Sequence, residues 1–565
     1  MNLPANRGSW RAYAACFRDH RLSLLLLTLA GLAQSFAWVP GAAILRRIFE
    51  EILPEGHGLP AGAMAAFAVA VAQLMALQVG GLFVVWWIRT AALRLSQDVV
   101  AGLRASAIEH FYTLPRAFHT QADVEKLHLT MVHETSIIDA MNIAVTTQML
   151  PGVCGVLVLF RILMRIEPVY AVILAVVAPV LFVVNRATER DVWLRQQRVR
   201  QAWEAFSRGV RFMIQAFELT RAHAAEEFET ARQKSNIREL RGVSLELNRF
   251  DAAQQILQGF LLLTCTLAAL LAGGWSVAAG HATRGQVMVF YVTAAMFAVQ
   301  VRSIVDSVPP LRRGLESFGE LEALLRVGER EPYQGRLAVS AIESVQLRDV
   351  WFGYREATPV LSGASFGIRR GEHVALTGAN GAGKSTIGHL ITGLYRPSRG
   401  GLFVNGVPYE EADIRALRGR MAILPQNPFL FPGTIRENLT YGPAAYGAAE
   451  LRQALEWSGA SAFVEGLPGG LDAQIGESGI LLSGGQRQKL VLARALLRQP
   501  DFLIFDEPTN HLDEEAIAML LGNLARLPFH PAVLMISHDP AAIRHASRAW
   551  RLEDGALREE AIGSR

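Results

Sequence analysis

Lysine is almost absent from this sequence: of 55 basic residues only four are lysines, at positions 126, 234, 384 and 489. Charge of either sign is scarce, at 19% of residues, while hydrophobic residues make up 51% and the mean hydropathy is +0.23. That leaves too little polar surface for a wholly soluble protein of 565 residues, so a membrane domain is expected. Cysteine is equally sparse. Cys16, Cys154 and Cys265 lie far apart in or near apolar sequence, a pattern that supports neither a disulfide framework nor a metal site and reads as packing. The basic residues form no obvious stripe despite a formal net charge of +4, so no nucleic acid is expected as a partner. No repeat or low-complexity segment is evident.

What the chain has in quantity is long apolar sequence. Stretches of roughly 20 residues, enough to cross a bilayer, run near 22–45, 61–88, 141–163, 169–187, 256–279 and 286–308. Six spans are therefore expected. The first follows Arg7, Arg11, Arg18 and Arg21, as a signal peptide would, but it is too long and has no small-residue cleavage pattern, so it reads as a retained helix. No peptidase-like segment stands ahead of it, so leader cleavage is not expected of this chain.

The arginines set the orientation. About a dozen basic residues fall between 186 and 249, whereas the loop at Glu50, Glu51 and Glu55 is acidic, which places the long connections 89–140 and 188–255 in the cytoplasm. Both connections show helical periodicity and read as helices continuing beyond the bilayer. The connection at 164–168 is short, so the third and fourth spans form an outward-facing hairpin. Within the last span, Gln300, Arg302 and Asp306 are polar. They are candidates for a water-filled path, although Arg302 and Asp306, four residues apart on one helix face, can simply neutralise one another.

After the last span the hydropathy falls. Residues 326–341 read as a linker, and β-rich runs such as HVALTG, FLIFDE and AVLMISH alternate with helical stretches from 342 onward, the pattern of a parallel sheet covered by helices. The expected fold is an α-helical six-span transmembrane bundle over 1–325 followed by an α/β P-loop NTPase domain over 342–565.

The soluble part carries the chemistry. In GANGAGKST, Gly378, Gly383, Lys384 and Ser385 fit the G-x-x-x-x-G-K-[ST] phosphate loop directly after an apolar strand. Gly378, Asn380, Gly381 and Gly383 let backbone N–H groups curl round phosphate oxygens, Lys384 can reach the β- and γ-phosphates, and Ser385 beside Thr386 opens a helix and can ligate Mg²⁺. FLIFDEPTNHLD brings Asp506 and Glu507 to a strand end. Adjacent carboxylates repel unless a cation or a reaction uses them. Asp506 is placed to hold Mg²⁺, and Glu507 to act as general base on the attacking water.

With LLSGGQRQK the chain resembles the ATP-binding cassette family, because residues 482–486 read LSGGQ, that family's signature. Ser483, Gly484, Gly485 and Gln486 can offer a hydroxyl, amides and a helix N-terminus to a phosphate. The resemblance implies that they address ATP held by the phosphate loop of a partner, so two cassettes sandwich two nucleotides. It further implies that Tyr354 stacks on adenine, that Gln426 serves near Mg²⁺ and the attacking water, that His538 senses the γ-phosphate, that Asp513 communicates across the dimer and that Glu477 senses the cytoplasmic loops. Short coupling helices are expected near 116–121 and 206–214.

The resemblance covers nearly the whole chain, in the layout of exporter-type half-transporters. It implies an ATP-driven exporter of an amphipathic small molecule, peptide or lipid in a bacterial inner membrane, with ATP and Mg²⁺ as cofactors. The chain keeps both Glu507 and an intact signature, which favours a homodimer over a heterodimer with a second half-transporter. One departure stands out: Asn510 and His511 replace the Ser-Ala usual in exporters, a form more familiar in soluble members of the superfamily. The competing readings are a siderophore-type importer on the same plan and a non-transporting regulatory cassette ATPase. The six apolar stretches argue against the latter.

Overall fold

The computed structural model describes residues 7–36, 38–52, 63–121, 124–166, 177–280, 283–328, 330–355, 358–476, 479, 481–507 and 514–560. Contacts divide the chain into two compact units, one of residues 1–110 and 124–327, the other of residues 111–123 and 328–565.

The first unit is helical. Five described helical runs are long and apolar enough to cross a membrane: Arg18–Glu50, Ala63–Phe111, Lys126–Arg165, Glu226–Ala278 and Gly285–Leu325. The further span expected at 169–187 falls partly outside the described residues, which resume with the helix Val177–Gln215. Helix Ala63–Phe111 has 49 residues, about 70 Å at 1.5 Å per residue, more than twice the hydrocarbon thickness of a bilayer. Its surplus length therefore projects beyond the membrane, as does that of the 53-residue helix Glu226–Ala278. Ile88, Ala92, Leu95, Val99, Ile138, Met141 and Leu321 form the largest buried cluster of this unit. Because lipid as well as protein satisfies apolar side chains, many others face outward, among them Leu82, Phe83 and Trp86.

The short helix expected at 206–214 is instead the end of Val177–Gln215, and the separate short helix is Phe217–Ala222. Gly209 does not break the longer helix because the close passage of Gln233 uses its bare Cα: a Cβ there would stand 2.3 Å from Gln233 Nε2. The pair at Arg302 and Asp306 forms, at 3.6 Å on one helix face.

The second unit is built on two sheets. Its strands are β1 (Ser344–Phe352), β2 (Leu361–Arg369), β3 (His373–Gly378), β4 (Arg399–Val404), β5 (Val407–Pro408), β6 (Met421–Leu424), β7 (Phe502–Asp506), β8 (Ala532–Ile536), β9 (Arg548–Glu553) and β10 (Ala556–Glu560). An antiparallel sheet runs β2-β1-β4-β5, and a six-stranded sheet runs β10-β9-β3-β8-β7-β6. From β9 to β6 every pairing in the larger sheet is parallel. Its central strands are continuous apolar runs because both faces are covered. Phe502, Phe505, Leu534 and Val533 are fully buried, each contributing about 1.5–3 kcal/mol of transfer free energy as an upper estimate. The parallel arrangement sends the C-terminal ends of β3, β6, β7 and β8 to one edge, where ligands bind in such sheets.

Segment 111–123 groups with this second unit. It holds the helix Arg116–Gln121, whose Ala117 packs on the core that includes Tyr395 and Ile391. Thr120 Oγ1 lies 3.5 Å from the Tyr395 hydroxyl, and the Glu331 amide donates to the Thr113 carbonyl at 3.0 Å.

Candidate functional site

The phosphate loop leaves β3 at Gly378 and enters the helix Lys384–Ile391. Its turn depends on glycine. Gly378, Gly381 and Gly383 have φ of +147°, +80° and +103°, a region other residues enter only with strain. A Cβ on Gly378 would stand 2.6 Å from the Leu552 carbonyl, and one on Gly383 would stand 2.5 Å from Val360 Cγ1. At Gly381 the same test meets only open space, so that side of the loop is free to receive a ligand. Lys384 is buried, and its Nζ donates to the Gly378 carbonyl at 3.0 Å and the Ala379 carbonyl at 3.1 Å. The ammonium is thus folded across the mouth of its own loop. Asn380 is exposed at the loop tip, and Ser385 is half-buried in the first turn of the helix.

Tyr354, just beyond β1, is half-exposed, and its hydroxyl lies 3.0 Å from Thr386 Oγ1. Its ring meets those of Phe352 and Tyr395 edge to face, with centroids 5.1 and 5.3 Å apart. Tyr395 also lies against His389, with centroids 6.1 Å apart. Burial holds His389 below the ordinary histidine range. Arg116 adds to that effect and Asp506 opposes it.

Strand β7 ends at Asp506, and Glu507 follows at φ +51° with its amide donating to the Ile536 carbonyl at 2.8 Å. That bond holds Glu507 against the end of β8. From the same strand end comes His538, whose Nδ1 lies 2.9 Å from Glu507 Oε2. The carboxylate is buried while the imidazole is largely exposed, so the pair runs from the sheet edge to the surface. Gln426, two residues after β6, is exposed. Among the described residues no group of three or more His, Cys, Asp and Glu side chains could hold a metal ion. Ser385, Asp506 and Gln426 nevertheless offer oxygen donors of the hard type Mg²⁺ prefers, a partial set of the kind that phosphate oxygens and water complete.

The signature segment caps the helix Gly484–Leu497. The Gln486 amide donates to Ser483 Oγ at 3.3 Å, and the Ser483 amide donates to Gln486 Oε1 at 2.9 Å. This reciprocal pair fixes the helix start and leaves Gly484 and Gly485 at its positive end. Asp513, Glu477, Asn510 and His511 lie outside the described residues. Two contacts of this region have no counterpart in the sequence reading: Tyr395, and Arg418, which donates to the carbonyls of Thr392 and Gly393 and pairs with Glu331 at 2.5 Å. Neither belongs to a run with recognisable spacing.

Comparison with known proteins gives two family matches. Residues 24–301 match the ABC transporter transmembrane region, and residues 361–510 match the ABC transporter family. The chain is 28% identical over 565 residues to the ATM1-type heavy metal exporter of Novosphingobium aromaticivorans, covering 98% of this chain and 90% of that one. It is 27% identical to the ATP-dependent lipid A-core flippase of Photobacterium profundum, over 82% of this chain and 80% of that one. With the ABC transporter ATP-binding protein YwjA of Bacillus subtilis it shares 32% identity over 63% of its length, spanning 62% of that protein. A solved structure of a bacterial Atm1-family ABC exporter with ATP bound has the same fold, with a TM-score of 0.83 at 24% identity, covering 97% of this chain and 96% of that one.

Proposed function

We propose, from the premise that this chain belongs to the ABC transporters and couples ATP hydrolysis to transport, that two copies of it export an amphipathic solute across a bacterial inner membrane. The observation that carries this reading is the gathering of Lys384, Asp506, Glu507 and His538 at one sheet edge, in a chain that also has five long apolar helical runs among its described residues. Exporters and flippases among its relatives support the direction.

In this reading the nucleotide lies on the phosphate loop with its adenine against Tyr354 and its terminal phosphates beside Lys384. Glu507 accepts the proton of the attacking water, and His538, already 2.9 Å from Glu507, orients that carboxylate toward the terminal phosphate. Ser385, Asp506 and Gln426 would hold Mg²⁺, which would supply positive charge to the phosphate oxygens. Gly484 and Gly485 present their amides to the nucleotide of the other protomer, with Asp513 alongside, so each site is completed across the dimer. The domains then fall at 1–325 for the membrane part, 326–341 for the linker and 342–565 for the cassette.

Closure of the cassettes tips the membrane helices. Reversing a 1:99 balance between two conformations takes about 5.5 kcal/mol of differential binding, so the bridging contacts must be specific to the closed pair. The test is ATP hydrolysis by the full chain in liposomes, screened against amphipathic compounds with Glu507→Gln as the silent control. Compounds that stimulate the wild type and not the variant support the reading, while an absence of hydrolysis in the wild type overturns it.

A further inference from the structure

Inside the helical unit lies a cavity of about 120 Å³ whose wall is polar where membrane-spanning sequence should be apolar. Gln34, Arg89, Thr147, Gln148, Gln300 and Ser303 line it, drawn from four separate helical stretches. Its hydroxyls are already used. Thr147 donates to the Ile143 carbonyl at 2.7 Å, and Ser303 to the Gln148 carbonyl at 3.4 Å. Its other polar groups are not. Among the described residues, the carboxamides of Gln34, Gln148 and Gln300 and the guanidinium of Arg89 have no hydrogen-bonding or ionic partner; the three glutamines are half-buried and Arg89 is exposed at the cavity's rim.

Gln300 is placed by packing. A Cβ on Gly155 would stand 2.9 Å from its Cγ and Cδ, and one on Gly152 would stand 3.3 Å from its carbonyl. The two glycines therefore let the helix Leu150–Ile166 pass close to Arg284–Leu325 and hold Gln300 against the cavity. Unpaired polar groups within a membrane-spanning bundle are costly unless water or a ligand meets them.

We propose that this cavity is the headgroup subsite of the transported solute and that it selects an amphipathic carboxylate, a reading that rests on the transport function above. Arg89 supplies a single positive charge in a fork that matches a carboxylate. Each neighbouring carboxamide brings two donors and an acceptor, which suits an amide or hydroxyl next to that carboxylate. One water needs about 10–15 Å³ of such space, so the volume holds a headgroup and leaves the apolar tail outside. On the orientation proposed above, Arg89, one residue past the apolar stretch 61–88, places the subsite toward the cytoplasmic end of the spans.

The probe is N-dodecanoylglycine, with its methyl ester as the uncharged match. Two quantities are measured on the full chain in lipid: the concentration for half-maximal stimulation of ATP hydrolysis and the change in tryptophan fluorescence, since Trp86 and Trp87 closely precede Arg89 on the same helix. The acid is expected to act at a concentration about tenfold or more below the ester, a ratio in keeping with one charge-assisted contact. Arg89→Gln removes the charge, and Gln300→Glu supplies a resident carboxylate. In both variants the acid-to-ester ratio should collapse to about one. A wild type that does not distinguish acid from ester, or a preference that survives in both variants, overturns the assignment. A wild type that fails to hydrolyse ATP but shows the fluorescence preference retains the subsite and removes the transport reading.

Discussion

Replacing Glu507 by glutamine isolates the chemical step, because it exchanges one carboxylate oxygen for an amide nitrogen and leaves the side-chain volume unchanged. The backbone at this position is held independently of the side chain: its amide donates to the Ile536 carbonyl at 2.8 Å, and φ is +51° for whichever residue stands there. The substitution should therefore leave the loop, the sheet edge and the nucleotide cradle in place. What it removes is the proton acceptor and the carboxylate 2.9 Å from His538 Nδ1. A positioned general base contributes about 10²–10⁴ in rate, or about 3–5 kcal/mol of barrier. Steady-state hydrolysis by the variant in liposomes should fall by that factor, while nucleotide affinity, measured by equilibrium binding, stays within about twofold. A fall of less than about tenfold would refute the assignment of the base. A loss of binding equal to the loss of rate would show that Glu507 supports the cradle rather than the reaction.

Other consequences are equally direct. Ser483→Arg puts a bulky cation at the exposed start of the helix Gly484–Leu497. It should lower turnover by about tenfold or more while binding of the first nucleotide is retained, and an unchanged rate would contradict a site shared across the dimer. Gly383→Val forces a β-branched residue into φ +103° and against Val360 Cγ1 at 2.5 Å, so nucleotide binding should be lost in an equilibrium assay. His373 and His389 both lie below the ordinary histidine range, each because burial disfavours the charged ring, with Arg116 adding to the effect at His389 and Asp506 opposing it. Below about pH 6.5 the unfolded chain takes up protons that the folded chain refuses, so stability falls as pH drops through that range. The thermal midpoint of a variant carrying His373→Gln and His389→Gln should depend less on pH than that of wild type between about pH 7 and about pH 5.5, and equal slopes would contradict this.

Features confined to contiguous sequence were the ones that could be read without a structure. A phosphate cradle needs its glycines, lysine and hydroxyl within nine residues, and a bilayer needs unbroken apolar runs, so GANGAGKST and the long stretches announce themselves. Parallel strands follow from the apolar runs that end in Gly378 and Asp506. Contacts assembled from distant positions were silent. Arg418 meets Glu331, Tyr395 meets Thr120, and the membrane cavity draws polar residues from four separate helical stretches. The second short helix, placed by resemblance and position, was also misplaced, because a glycine inside a helix looks the same in sequence whether it breaks the helix or accommodates a neighbour such as Gln233.

The most direct measurement is the separation of the two cassettes. In a Glu507→Gln chain cleared of its three cysteines and spin-labelled at Arg452→Cys, on the exposed face of the helix Ala448–Ser458, pulsed dipolar spectroscopy reports the distance between labels in liposomes. ATP should replace a long, broad distance distribution with a shorter, narrower one. A distribution that ATP leaves unchanged, with nucleotide demonstrably bound, would contradict the account at its base.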